Sequence, residues 1–219
     1  EEWINRISEN DILTIDRQEI KIPLNPKQIE YKSKKLGDFS QLNKSWSISN
    51  SKTTQERLNI DKSEWEYYHT LYREKRKKWD EIPYLEIAKK IKKCPEWIVA
   101  DMGCGENLLS KEVSNKVHAF DYVAIDKDVT ACDMSSIPLA DQEINAIVFC
   151  LSLMGSNYLD YIREAFRVTK PYGNIFICEP KKKVEKRIEV LKKEIESIGF
   201  KIIEVTTSSQ FIYIHGIKL

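Results

Sequence analysis

The chain has 219 residues, 42% of them hydrophobic, enough to bury the core of one ordinary domain with an extension. Its 35 Lys+Arg and 34 Asp+Glu leave a net charge of +1, which excludes a globally basic nucleic-acid binder and leaves RNA contact to local basic patches. Five cysteines without a Cys-x-x-Cys pair argue against a disulfide framework or a zinc site and read as free thiols of an intracellular protein, with no metal expected. No apolar run approaches the ~20 residues of a membrane span, and no signal peptide is visible. The chain opens on Glu1 rather than Met, so a further domain upstream is an open expectation.

Residues 1–62 read as a polar extension or linker, broken by Pro23 and Pro26 and punctuated by Gly37, with short elements partly docked on the domain after it. Within it, residues 45–54 read as a serine-rich loop around Trp46. The domain proper is expected over 63–219. Trp65, Tyr68 and Tyr72 at i, i+3, i+7, followed by Trp79, predict an amphipathic helix with an aromatic stripe. Pro83 opens a second helix carrying Leu85, Ala88 and Ile91 on one side, with Pro95 beyond it. Strands and helices then alternate. Strands are predicted at 97–102, 117–120, 145–150 and 174–178, and helices at 108–113, 158–168 and 184–198. Two final strands at 200–206 and 211–217 are close enough for an antiparallel hairpin. The alternation predicts an α/β fold: a mostly parallel sheet, helices on both faces, and an antiparallel C-terminal edge.

The most informative stretch is Val99-Ala100-Asp101-Met102-Gly103-Cys104-Gly105-Glu106-Asn107, a buried strand running into Gly-x-Gly and then a helix. Gly103 and Gly105 let the backbone turn and approach a ligand, and open α/β sheets bind ligands at the carboxyl ends of their strands. A dinucleotide fingerprint asks for a third glycine where Leu108 stands, and Asp101 would repel a pyrophosphate but suits a cationic amino-acid moiety. Both departures favour S-adenosylmethionine over a nicotinamide dinucleotide. Asp121, ending the second strand, is the candidate acceptor for ribose hydroxyls, with Asp126 as competitor. Asp133 is the candidate for an adenine amino group, and Met134 beside it can cover the ring face. Cys150 ends the fourth strand, and its apolar setting marks a pocket wall rather than a nucleophile. His69, taken alone, reads as a surface or capping histidine. The basic runs Lys75-Arg76-Lys77-Lys78, Lys89-Lys90 and Lys181-Lys182-Lys183 read first as solvated helix faces and second as an RNA-backbone track.

Several strings together resemble a known family. They are Tyr68-His69 with Trp79, Val99-Ala100-Asp101-x-Gly103-Cys104-Gly105, and Val129-Thr130-x-Cys132-Asp133-Met134 with Pro138-Leu139. To these add Val148-Phe149-Cys150-Leu151-Ser152-Leu153-Met154-Gly155-x-Asn157 and Glu164-Ala165-x-Arg167-Val168-x-Lys170-Pro171. The set is similar to the ribosomal RNA-processing protein 8 (nucleomethylin-type) methyltransferases from about Trp46 onward, while residues 1–45 match nothing in that family. The resemblance implies a class I Rossmann-like methyltransferase fold of seven strands. It implies methylation of adenine N1 in large-subunit ribosomal RNA. It implies S-adenosylmethionine contacts at His69, Gly103, Asp121, Asp133, Met134 and Cys150, which raises His69 to a cofactor contact. Asn157 is the candidate to position the adenine edge. The setting expected is the nucleus or nucleolus in a eukaryote and the cytoplasm in a prokaryote. Two departures, Tyr172 in place of a family glycine and Cys178-Glu179-Pro180 after the fifth strand, are expected nearer the substrate side. Rival readings are a methyltransferase for a protein or small molecule, and a cofactor-binding module without turnover.

Overall fold

The computed structural model describes residues 24–219; the expectations placed on residues 1–23, Pro23 among them, lie outside the described residues. The sheet forms from β1 (Ile98–Met102), β2 (Lys116–Asp121), β3 (Val129–Ala131), β4 (Ile144–Cys150), β5 (Thr169–Pro180), β6 (Phe200–Thr207) and β7 (Phe211–Lys218). Its order is β3-β2-β1-β4-β5-β7-β6, with β7 antiparallel between β5 and β6 and the remaining neighbours parallel. This is the expected seven-stranded fold, with β3 added to the predicted strands. The strand order reverses between β1 and β4, so a crevice opens above their carboxyl ends.

Helices cover both faces. On one side α7 (Tyr158–Val168) and α9 (Ile188–Ile198) press Tyr161, Ile162, Leu191 and Ile195 onto Ile147, Phe149, Ile177 and Ile214. On the other, α5 (Pro83–Ile91) and α6 (Leu108–Glu112) press Ile87, Ile91 and Leu109 onto Val99, Val148 and Phe176. β4 is apolar on both faces because it lies between these two cores. A four-residue helix, α8 (Lys181–Val184), and a 3-10 turn precede α9, so the stripe starting at Val184 is broken before Ile188.

Ahead of the sheet stand α1 (Pro26–Leu36), α2 (Phe39–Ile48), α3 (Ser51–Ile60) and α4 (Ser63–Arg76). The loop expected over 45–54 is instead the end of α2, a short break and the start of α3. Local caps begin the first three helices: Asn25 and Asp38 form capping boxes with Gln28 and Gln41, and Asn50 accepts from the Lys52 amide. Tertiary packing supplies the rest. Trp46 stacks on Tyr68 at 4.5 Å between ring centroids and donates from Nε1 to Glu64 at 2.8 Å. Leu42, Trp46, Leu58, Trp65 and Tyr68 form a third apolar cluster that caps the crevice.

The departure at Tyr172 is not on the substrate side. Its segment begins where Thr169 pairs with Ile144, at the amino end of β4 and the opposite edge of the sheet from the crevice. Tyr172 has φ +62° and is exposed, which explains why a glycine suits that position. Cys178 and Glu179 do stand at the crevice end, where Cys178 pairs with Cys150.

Candidate functional site

A cleft enclosing about 990 Å³, open solvent included, lies above the carboxyl ends of β1, β2 and β4. Its floor is the loop after β1. Gly103 and Gly105 have φ of +76° and +54°, and the Gly103 and Cys104 amides both donate to the Phe120 carbonyl at 2.8 and 2.9 Å. The conformation and the space both require glycine. A Cβ on Gly103 would lie 2.6 Å from Ser152 Cβ, and one on Gly105 would lie 2.7 Å from His69 Cε1.

Asp101 ends β1 in the wall of this cleft at 4% exposure. Burial, and then the charge of Asp121, push its carboxyl up to about 7. No hydrogen bond or ion pair to Asp101 occurs among the described residues, so a cation in the cleft would meet a carboxyl with no competing partner and would draw it toward the ionised form. Asp121 is also raised by burial, against the pull of its donors. One of its oxygens accepts from Trp65 Nε1 at 2.7 Å and the other from the Gly105 amide at 2.8 Å. The Val123 amide also approaches the first oxygen at 3.5 Å, so of a carboxylate's roughly four lone-pair sites the open one is on the second oxygen, for a hydroxyl donor. Its competitor Asp126 does not line the cleft and caps the Asp128 amide instead.

The structure brings together His69, Asp101, Gly103, Gly105, Asp121, Met134 and Cys150 around one cavity. His69 is buried, its ring 3.8 Å from that of Trp65, and packs over Gly105. The half-buried Cys150 thiol is pushed well above its usual range by desolvation, then by Asp101 and Glu179, so it stays a protonated wall.

Two expected residues stand differently. Asp133 does not line the cleft, although Cys132 and Met134 on either side do; one of its oxygens closes a turn on the Ser135 amide at 2.8 Å. Asn157, expected to position the adenine edge, is engaged elsewhere. Its carbonyl accepts from the Ser51 amide at 2.9 Å, and its amide donates to Ser51 Oγ and Asp160 at 2.9 and 3.2 Å. It lies outside the cleft wall and latches the front of α3 to the start of α7.

Sequence reasoning misses four contributors. Trp65 reads there as part of an aromatic stripe, yet its indole fixes Asp121. Glu106, in the glycine loop, is gripped by Arg73 and stands 3.6 Å from Arg76, which ties α4 down over the loop. Trp46 and Thr54, inside the stretch expected to be linker, complete the roof. Only the aromatic spacing of α4 carries a signal for any of these.

The lining therefore fits S-adenosylmethionine. It offers an unpartnered carboxyl for a cation, a second carboxylate with an open lone pair for a ribose hydroxyl, a buried methionine for a base face, and a glycine floor.

A family model described as "Hypothetical methyltransferase" matches residues 27–218. Ribosomal RNA-processing protein 8 from Rattus norvegicus is 40% identical over 149 residues, covering 67% of this chain and 32% of the rat protein. A 25S rRNA (adenine(645)-N(1))-methyltransferase from Schizosaccharomyces pombe is 37% identical over 147 residues, covering 61% of this chain and 46% of that one. The matched stretch thus spans just under a third of the first relative and just under half of the second. Among solved structures, a SAM-dependent methyltransferase from Aquifex aeolicus aligns with TM-score 0.51 and 22% identity over 67% of this chain and 98% of its own. That likeness speaks for the fold.

Proposed function

The chain belongs to this methyltransferase family, and from that premise we propose that it transfers a methyl group from S-adenosylmethionine to RNA, to adenine N1 of large-subunit ribosomal RNA. The observation that carries the reading is the meeting of Asp101, the Gly103–Gly105 loop and Asp121 at the β1/β4 switch point. The names of the relatives support the acceptor. In a eukaryote this reading places the protein in the nucleolus, and in a prokaryote in the cytoplasm.

Bound in the cleft, S-adenosylmethionine would supply an activated methyl. Transfer of that methyl to a neutral acceptor nitrogen would leave the bonding pair on sulfur and the positive charge on the acceptor. Adenine N1 holds an in-ring lone pair at neutral pH, so no residue has to remove a proton. The work left to the chain is binding and alignment. Asp121 would hold the ribose hydroxyls, Asp101 would neutralise positive charge, Met134 would cover the adenine, and His69 would close over Gly105. Cys150 would exclude water beside the reacting atoms. Holding the partners in line can supply roughly 7–11 kcal/mol of the barrier, and extruding a paired base costs about a few kcal/mol.

The test is transfer of radiolabel from S-adenosylmethionine to ribosomal, transfer and synthetic RNAs, with cofactor affinity measured in parallel and Asp121→Ala as control. Label recovered as N1-methyladenosine, and lost in the control, is the expected result. Cofactor binding without label in RNA would move the acceptor to a protein or small molecule, or leave a binding module without turnover. Absence of cofactor binding would overturn the reading.

A further inference from the structure

One face of α4 forms the cleft's side wall: Trp65, His69, Tyr72 and Arg76 recur at helical spacing along about 16 Å of axis. Trp65 holds Asp121 and His69 covers Gly105, so the first half of the face belongs to the cofactor. The second half has no task in that reading. Tyr72 lines the cleft together with Cys150, at the tip of β4, and burial holds its phenol well above the usual range, so it stays protonated. Its hydroxyl meets no hydrogen-bond partner among the described residues. The Arg76 guanidinium lies 5.7 Å from the Tyr72 ring centroid and reaches Glu106 only at 3.6 Å, because Arg73 is the close partner of that carboxylate. Tyr84, in the first turn of α5, lines the same cleft and has neither a hydrogen-bond nor a ring partner among the described residues.

We propose that Tyr72, Arg76 and Tyr84 form the acceptor subsite, taking one purine nucleotide of an RNA strand with its base beside Cys150 and its phosphate on Arg76. The proposal rests on the methyl-transfer reading of the cleft and adds the residues that hold the acceptor. The Tyr84 ring offers a face on which a flipped base stacks, an interaction worth about 1–3 kcal/mol per base. The Tyr72 hydroxyl can donate and accept, which suits a base edge bearing both a lone pair and an amino group. A guanidinium fork matches phosphate oxygens, and one held only loosely by Glu106 and a ring face can turn toward them without breaking a close pair.

The experiment compares the whole chain with Tyr72→Phe, Tyr84→Ala, Tyr84→Phe, Arg76→Ala and Arg76→Lys. Three quantities are read: calorimetric affinity for S-adenosylhomocysteine, affinity for adenosine 5′-monophosphate with S-adenosylhomocysteine saturating, and KM and kcat on an RNA oligonucleotide. Tyr84→Ala and Arg76→Ala are expected to weaken nucleotide binding and raise the RNA KM roughly tenfold, a loss of about 1.4 kcal/mol. Tyr84→Phe keeps the stack, Arg76→Lys recovers part of the loss, and Tyr72→Phe lowers kcat more than it raises KM. S-adenosylhomocysteine affinity stays within twofold throughout. Unchanged nucleotide affinity and RNA KM across the set would overturn the subsite. So would a fall in S-adenosylhomocysteine affinity in Arg76→Ala, which would assign Arg76 to the cofactor's carboxylate. If the wild-type chain methylates no RNA, the functional reading fails, and nucleotide binding still decides the subsite: binding lost in the variants keeps it, and no binding removes it.

Discussion

Asp101→Asn tests the electrostatics of the cleft without any substrate. The Asp101 carboxyl is raised from the ordinary 3.8 to about 7, by burial first and Asp121 second, and takes no hydrogen bond among the described residues. A raised acid binds its proton more tightly folded than unfolded. Its contribution to stability is therefore fully present below the unfolded value and is lost as pH rises toward the folded one. At pH 8 the loss is roughly 4 kcal/mol, at 1.36 kcal/mol per pK unit. An asparagine has the same shape and no such titration. The stability gap between Asp101→Asn and the wild type should therefore widen by about 2–3 kcal/mol between pH 5 and pH 7 and then level off. For a chain of this size that widening is some 5–10 °C in melting temperature, with the variant the more stable. Melting curves of both proteins at half-unit pH steps from 5 to 8.5 measure it, and the groups common to both cancel in the difference. Parallel curves across pH 5–7 would refute the argument, because they would mean that Asp101 is already paired or hydrated. A cofactor cation would pull the carboxyl back down, so S-adenosylmethionine should bind more tightly as pH rises through 7.

Trp65→Phe puts a smaller ring in a fully buried site and removes the 2.7 Å bond to Asp121; losing a charge-assisted bond of about 1.5–3 kcal/mol should lower the melting temperature and, in the folded protein, weaken cofactor binding tenfold or more by calorimetry. Gly103→Ala brings a Cβ within 2.6 Å of Ser152 at φ +76°, and should lower stability by about 1–3 kcal/mol and abolish measurable cofactor binding. Asn157→Ala breaks the latch to Ser51; denaturant unfolding should show a loss of about 1–3 kcal/mol, while kcat on RNA stays near wild type in the folded fraction. Tyr172→Gly relieves a left-handed tyrosine and should stabilise the chain by about 1 kcal/mol in the same unfolding assay, leaving cofactor affinity untouched because the segment is at the far edge of the sheet.

The chain's order of strands and helices was legible from periodicity, because β4 must be apolar on both faces and the covering helices on one. The glycine loop was legible because only glycine reaches the backbone conformations at 103 and 105 without strain. The carboxylates ending β1 and β2 were legible from where an open α/β sheet leaves its crevice. Each of these is a constraint that the backbone imposes locally, so it is written in consecutive residues. The short strand β3 and the helical state of residues 39–60 were not legible, since their polar composition carries little period and Trp46 becomes core only by stacking on Tyr68.

What tertiary structure alone decided are the pairings between distant residues. Trp65 reaches Asp121 across 56 positions, Ser51 reaches Asn157 across 106, and Arg73 reaches Glu106 across 33. The same logic ties Asn157 to Ser51 and brings Tyr72, Arg76 and Tyr84 into the cleft lining. A side chain's chemistry is fixed by its type, but its partner is chosen by packing. Folding buries the apolar faces of α2, α3 and α4 together, and only that burial lays an aromatic helix across the glycine loop.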